Sequence, residues 1–445
     1  MTIKTRFAPS PTGHLHVGNI RTALHNWMFA KKNGGEFLLR LDDTDKARSK
    51  EEYVTAIRAD LAWLGIHADS EERQSARFDR YEERFEELKS AGRVYPAYET
   101  AQELDLKRKV QLGRGKPPTY DRGALDLAEE DIAAFESEGH KAHWRFKLDH
   151  DTPIIWTDLI RGDQHFDPSL LSDPVIRRED GSWLYMLPST IDDIDMGITH
   201  VVRGEDHVAN TAVQIQMFHA FGADTPEFAH EALLVGTEGK LSKRLGSLGV
   251  GGFRERNIEP QSITALLARI GTSDPVEPIA DIMTLVEGFD FSRFGRAPAR
   301  FDDDELAQLN QKIVHLLDYS AVKDRLPDGM TAEAWEVIRP NLHDMSELDN
   351  WWQVVTGPVT SSELTPEDRD FLGQARTALN DLPWSETIWK DWTGALKEST
   401  GRKGKPLFMP LRRALTGLGH GPDMGALLPL IGRDAALERL KNASS

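Results

Sequence analysis

Residues 3–41 read as a strand, a tight turn, a long helix and a second strand, and that order commits the chain to a parallel sheet. Residues 3–8 alternate loosely, as a half-buried strand does, and Pro9-Ser10-Pro11-Thr12-Gly13 is turn chemistry. From Val17 the apolar residues Ile20, Ala23, Leu24, Trp27 and Met28 recur at helical spacing until Gly34-Gly35. Residues 37–41 form a short apolar strand, which a crossover helix can only deliver parallel to the first. A strand that feeds a helix through a tight turn leaves unpaired N–H groups and partial positive charge at the helix start. That end is a natural seat for an anion.

Helices over 50–64 and 80–91 continue the α/β pattern. Near residue 95 the texture changes to a basic helical piece, a Pro117-Pro118 break and β-type segments at 143–148 and 154–159, read as an insertion over 96–189. The α/β texture resumes at 183–187 and 200–203, followed by a helix over 211–221 and an apolar segment at 233–235. After Gly252 the pattern turns helical, with candidates at 259–270, 304–317, 331–339, 365–380, 385–397, 407–416 and 433–442. At 445 residues, two to four domains are expected.

Composition narrows the chemistry. With no cysteine there are no disulfides, thiolate zinc sites or cysteine nucleophiles, and no HExxH pairing occurs among the histidines. No apolar run is long enough to span a bilayer, and no basic segment with an apolar core opens the chain, so a cytoplasmic location is expected. The net charge of −18 is unlike that of a nucleic-acid binder. Two local runs oppose it: Lys107, Arg108, Lys109, Arg114 and Lys116, and Arg402, Lys403, Lys405, Arg412 and Arg413, neither interrupted by an acid. Any one such run is ordinarily a solvated face, but two in so acidic a chain point towards a polyanion partner.

Two motifs carry the reaction. His16 stands at the helix start, placed to donate to a phosphate, and Gly18 lets a nucleotide approach the backbone. No Gly-x-x-x-x-Gly-Lys-Ser/Thr occurs, so the turn is not a P-loop. Downstream, Lys240-Leu241-Ser242-Lys243-Arg244 sets two lysines about a serine, suited to charge developing on a departing pyrophosphate. Each motif alone is common, but together they describe activation by ATP.

The string Arg6-Phe7-Ala8-Pro9-Ser10-Pro11-Thr12-Gly13, with His16-Val17-Gly18-Asn19 after it, resembles the HIGH region of bacterial glutamyl-tRNA synthetases of class I. Lys240–Arg244 is similar to their KMSKS loop, and Arg40-Leu41-Asp42-Asp43-Thr44-Asp45, Asp158-Leu159-Ile160-Arg161-Gly162, Val202-Arg203-Gly204-Glu205-Asp206-His207 and Gly401-Arg402-Lys403-Gly404-Lys405 also match. The resemblance covers almost the whole chain. It implies an α/β fold: a class I Rossmann-type parallel sheet with an inserted α+β acceptor-binding domain, a connecting stem-contact domain and an all-α C-terminal anticodon-binding domain. The implied boundaries are 1–95 and 190–245 for the two sheet halves, 96–189 for the insertion, 246–310 for the stem contact and 311–445 for the anticodon domain.

The resemblance implies ATP-dependent charging of tRNA(Glu) with L-glutamate through a glutamyl-adenylate, with transfer to the 2′-OH of the terminal adenosine. Charging of tRNA(Gln) stays open. By the same resemblance, His16, Gly18, Lys240 and Lys243 are catalytic. Arg6, Ala8, Ser10, Asp42, Tyr185 and Arg203 hold glutamate, with Arg203 and Tyr185 on the side-chain carboxylate and Asp42 on the α-amino group. Ser10, His16, Gly18, Asp206, His207, Leu234, Lys240, Ser242 and Lys243 hold ATP, which brings Mg²⁺. Lys107–Lys116 meet the acceptor end and Arg402, Lys403 and Lys405 the anticodon arm. A monomer is implied. Three positions depart from the family pattern: Asp42 replaces the usual Glu, Ser189 stands where Asn is frequent, and Tyr95-Pro96-Ala97-Tyr98 stands where some members carry zinc-binding cysteines, so no structural zinc is expected. The rival readings are a tRNA-independent adenylyltransferase of the same superfamily, which needs no helical tail, and an inactive tRNA-binding paralogue, which should have lost His16 or the lysines.

Overall fold

The first half of the chain alternates as its sequence pattern demands: β1 (Lys4–Phe7), α1 (Val17–Lys32), β2 (Glu36–Leu41), α2 (Glu51–Trp63), β3 (Ser70–Arg73) and α3 (Phe78–Ser90). The computed structural model describes residues 2–115, 117–236, 249–360 and 364–445. β1, β2 and β3 pair in parallel, with Arg6 opposite Leu38 and Leu41 opposite Arg73. β2 is buried along all but its first residue, as a strand covered on both faces must be. The turn into β2 requires glycine, because a Cβ at Gly35 would stand 2.2 Å from the Ile3 carbonyl oxygen.

The insertion begins with β4 (Val94–Ala97), α4 (Ala101–Gly113), α5 (Glu129–Ser137) and β5 (His143–Phe146). Then come β6 (Ile154–Asp158), β7 (Gly162–Phe166), β8 (Val175–Arg177), α6 (Met186–Asp195), β9 (His200–Gly204), α7 (Val208–Ala220), β10 (Glu227–Glu231) and β11 (Leu234–Gly236). β4, β5 and β8 form an antiparallel sheet. Its Phe146 and Ile176 share a core with Tyr81, Phe85, Trp183, Val213 and Met217. At the Tyr95–Tyr98 stretch, Tyr95 and Ala97 pack on Ala124, and Tyr98 stacks on Phe135.

One expectation needs correction. Residues 154–166, grouped by sequence with the insertion, join the other half of the parallel sheet in the order β7-β6-β10-β9. Phe228 of β10 pairs with Asp158 of β6, and β10 runs parallel to β9 along five residue pairs from Glu227–His200 to Glu231–Gly204. The β-type composition of 154–166 is equally suited to either sheet, so texture could not assign it.

The two half-sheets meet at β1 and β9 without a continuous ladder, joined by one main-chain bond from Thr199 N to the Lys4 carbonyl at 2.9 Å and by side chains. Lys4 N donates to Thr199 Oγ1 at 2.8 Å, and Asn26 Nδ2 donates to the Val202 carbonyl at 3.0 Å. The strand order therefore reverses at this seam.

Contacts divide the chain into two units, one of residues 1–255 with 263–303 and one of 256–262 with 304–445. The second is helical from Asp304 on. The indoles of Trp335 and Trp392 are buried and donate to the carbonyls of Leu317 and Ala375, each at 2.8 Å. Helices that escape the periodicity include the short Ile282–Gly288, Tyr319–Val322 and Leu348–Thr356, and Met424–Ile431, which is apolar on nearly every side and contains Pro429. Among the described residues no helix is long and apolar enough to cross a membrane.

Buried Arg439 donates to four carbonyls, those of Val354, Val355, Gly357 and Leu415, at 2.7–2.8 Å. Arg439→Leu strands them and is expected to destabilise the C-terminal unit by about 3 kcal/mol or more in urea unfolding. A loss below about 1 kcal/mol would contradict this packing.

Candidate active site

A cavity of about 590 Å³ opens beyond the carboxyl ends of β1, β9 and β10. This is the crevice where strand order reverses, the place at which open α/β sheets bind ligands. The described candidates from the sequence converge on it: Arg6, Ala8, Ser10, His16, Gly18, Asp42, Tyr185, Arg203, Asp206, His207 and Leu234 all line it. Lys240, Ser242, Lys243 and Lys116 lie outside the described residues.

His16 is the N-cap of α1. Its Nδ1 accepts from Gly18 N at 3.1 Å, and Asn19 Oδ1 accepts from His16 N at 3.3 Å. A ring nitrogen that accepts carries no proton, so the imidazole is neutral and its N–H is on Nε2. Burial pushes its pKa down, which agrees. A Cβ at Gly18 would press on this ring, meeting His16 Cε1 at 3.0 Å. The first turn of α1 holds no acid, so nothing offsets the positive end of the helix. The main chain of Gly249 bridges to His16.

Beside the start of α1 lies a buried network of charges. Arg40, fully buried, gives Nε to Asp42 at 2.7 Å and Nη1 to Asp193 at 2.7 Å, while Arg6 Nε donates to Asp193 at 3.1 Å. Ser189 Oγ accepts from Arg40 Nη2 at 3.1 Å, so this serine supports the arginine from beneath. Burial works against the Asp193 carboxylate, yet Arg6 and Arg40 together hold it below the ordinary range. Burial pushes Asp42 up to about 6, with Arg40 pulling it back. Asp42 therefore stays mostly ionised at neutral pH. The backbone bond from Asp42 N to the Pro9 carbonyl, 3.0 Å, keeps it beside the 8–10 turn. Sequence reasoning missed Arg40 and Asp193. The run Asp192-Asp193 signals a buried acid only once it is seen facing two arginines.

Arg203 is different in kind. It is 6% exposed, and its guanidinium donates to Tyr185 Oη (2.8 Å), Thr211 Oγ1 (2.6 Å) and Gln214 Oε1 (2.7 Å). Among the described residues no carboxylate hydrogen-bonds to it. A guanidinium stays charged even when burial pushes its pKa down, as it does here. The cavity thus holds a positive charge in want of an anion. His207, next to it, is pushed down to about 4 by burial and then by Arg203, so it is neutral at pH 7.

The two basic runs are acid-free only along the chain. Lys107 lies 3.1 Å from Asp121 and 3.7 Å from Glu99, and Lys109 lies 2.7 Å from Asp105. Arg402 turns inward: it donates to Asp368 at 2.7 Å and covers the Phe371 ring. Arg108, Arg114, Lys403 and Lys405 remain exposed.

Residues 2–308 match the family model described as tRNA synthetases class I (E and Q), catalytic domain, and residues 311–444 match an anticodon binding domain. The chain is 65% identical to a glutamate–tRNA ligase 2 of Erythrobacter litoralis, over 99% of this chain and 98% of that one. It is 66% identical to a glutamate–tRNA ligase 1 of Rhizorhabdus wittichii, with both chains covered in full. Among solved structures, a glutamate tRNA ligase from Elizabethkingia meningosepticum in complex with its amino acid superposes with a TM-score of 0.86 at 29% identity, covering 100% of this chain and 99% of that one.

Asp42 is expected to titrate near pH 6, gaining its charge above that value and losing it below. Carboxyl ¹³C shifts followed against pH check this, and a midpoint in the ordinary aspartate range, near 4, would contradict the burial that raises it.

Proposed function

Because the chain belongs to the class I tRNA synthetases of the glutamate and glutamine type, we propose that it joins L-glutamate to tRNA(Glu) with ATP, through a glutamyl-adenylate. The observation that carries this reading is Arg203, a buried cation whose hydrogen-bond partners among the described residues are all neutral, on the wall of the cavity that His16 also lines. A side-chain carboxylate completes it, whereas the neutral amide of glutamine leaves its charge unmatched.

The rest of the site follows from that docking. Asp42 receives the α-amino group, and Arg6, with Ala8 and Ser10, borders the α-carboxylate. That carboxylate attacks the α-phosphate of ATP. His16 Nε2–H and the start of α1 stabilise the charge that builds up there, and pyrophosphate leaves. Gly18, Leu234, Asp206 and His207 border the adenosine. Lys240, Ser242 and Lys243 follow the pyrophosphate. Support for their part is the sequence together with Leu234 on the cavity wall and Gly249 against His16, on either side of the loop in the chain. Mg²⁺ would come with ATP and would supply neutralisation of its phosphates. Among the described residues no group of three His, Asp or Glu could hold a metal, so the proposal leaves the ion with ATP. The 2′-OH of the terminal adenosine then takes the glutamyl group.

Lys107, Arg108, Lys109, Arg114 and Lys116 are proposed to meet the acceptor arm and Lys403 and Lys405 the anticodon arm, with Arg402 shaping the turn that presents them. Such phosphate contacts make binding steeply dependent on salt. A monomer working in the cytoplasm is part of this reading, and acceptance of tRNA(Gln) is a separate question of the same assay.

Charging with radiolabelled glutamate and separate transcripts of both tRNAs tests the proposal. Glutamate should be attached to tRNA(Glu), and Arg203→Leu should cut kcat/KM for glutamate by roughly a hundredfold or more. Charging that survives this substitution unchanged would overturn the assignment.

A further inference from the structure

We propose that the buried pair Asp158–His230 is a positioning device for Arg203: it keeps the imidazole proton on Nδ1, so that Nε2 remains an acceptor towards Thr211 and Arg203. The inference rests on the reading that Arg203 receives the side chain of glutamate.

Asp158 ends β6 and His230 lies on β10, and neither side chain is exposed. Their Oδ2 and Nδ1 atoms are 2.5 Å apart. The carboxylate cannot turn, because Oδ1 accepts from the N–H groups of Ile160 (3.0 Å), Arg161 (2.9 Å) and His230 (3.1 Å). Oδ2 is thus left with the imidazole as its partner, and an acceptor there demands a proton on Nδ1.

On the far side of the ring, Nε2 is 2.8 Å from Thr211 Oγ1 and 3.5 Å from Arg203 Nε. Thr211 Oγ1 accepts from Arg203 Nη2 at 2.6 Å. Its own proton can go to Nε2 or to the His207 carbonyl, which is farther at 3.3 Å. Arg203 has only donors. Every proton along Arg203, Thr211, His230 and Asp158 therefore points the same way, ending on the carboxylate.

This arrangement has a chemical use. A carboxylate placed directly on Arg203 would neutralise it and remove its need for a ligand anion. Set behind an imidazole and a hydroxyl, Asp158 fixes the orientation of the guanidinium through hydrogen bonds and leaves its charge for the ligand. With the proton on Nε2 instead, the ring would set an N–H against the Nε–H of a guanidinium that only donates, and Thr211 would have to turn its own proton to the more distant His207 carbonyl in order to accept from the ring. Arg203 would lose its alignment.

Asp158→Asn separates shape from proton order. Its Oδ1 can keep the three backbone N–H bonds, and the opposite orientation would set an NH₂ against three donors. The NH₂ must then face Nδ1, which drives the ring proton to Nε2. ¹⁵N NMR of the full-length protein should show His230 protonated on Nδ1 in the wild type and on Nε2 in the variant. In charging assays the variant should raise KM for glutamate about tenfold or more, while KM for ATP and kcat move less than about threefold. His230→Gln, whose amide oxygen can stand in for Nε2, should stay within about threefold of wild-type KM, whereas His230→Leu should match Asp158→Asn.

A wild-type ring protonated on Nε2 overturns the proposal, as does a reversed tautomer with unchanged KM for glutamate. Equal losses for ATP and glutamate, or no difference between His230→Gln and His230→Leu, would reduce the pair to ordinary packing and also overturn it. If Asp158→Asn does not fold, the wild-type tautomer and the two His230 variants decide. Wild-type protein that charges no glutamate would instead remove the functional reading, and the NMR result would still judge the proton order.

Discussion

Taking a guanidinium out of water is expensive unless an anion compensates it, and among the described residues every hydrogen-bond partner of Arg203 is neutral. Tyr185, Thr211 and Gln214 satisfy its N–H groups but not its charge. On the proposed reading, this shortfall is what selects a ligand carboxylate. It persists because β9 and α7 fix the arginine from two sides, and because the sheet seam sets that point next to the open start of α1. A site with a fully paired arginine would be more stable and chemically indifferent.

The neighbouring charges show the contrast. Arg40, Asp42, Asp193 and Arg6 bind one another within the same wall, and Asp192, 3.9 Å from Arg40, links them to Arg77. Carboxylates match these cations within the wall itself, so this part serves as a frame. It holds Asp42 at the cavity edge, ionised at neutral pH, while Asp193 keeps the two arginines in register. His16 and His207 are both neutral at pH 7, so the cavity keeps polar donors without added positive charge. The functional distinction between Arg203 and Arg40 is one of partners, since both are buried arginines on sheet strands.

The sequence made the strand-turn-helix start and most helices legible because those rest on local periodicity and on caps. It also marked the cavity residues, since Arg6, His16, Asp42 and Arg203 sit in strings whose order is informative. What it could not convey was pairing across long separations. Asp193 reaches Arg6 from 187 positions away, and Asp158 reaches His230 from 72. Residues 154–166 read as part of the insertion, although they pair in the β9–β10 half-sheet, because strand composition does not name a partner. The basic runs looked free of acids only because Glu99, Asp105 and Asp121 return through folding or helical spacing. Met424–Ile431 hid because a helix made almost wholly of apolar residues has no polar face to give it a period.

The central claim is that Arg203 keeps an uncompensated charge for a ligand carboxylate. A crystal structure of the protein with L-glutamate bound tests it most directly. The account predicts the side-chain carboxylate at about 2.8 Å from the Arg203 guanidinium, with Tyr185 alongside and the Arg40–Asp193 frame unmoved. Glutamate bound with that carboxylate away from Arg203, or Arg203 found paired with a carboxylate of its own chain, would contradict it.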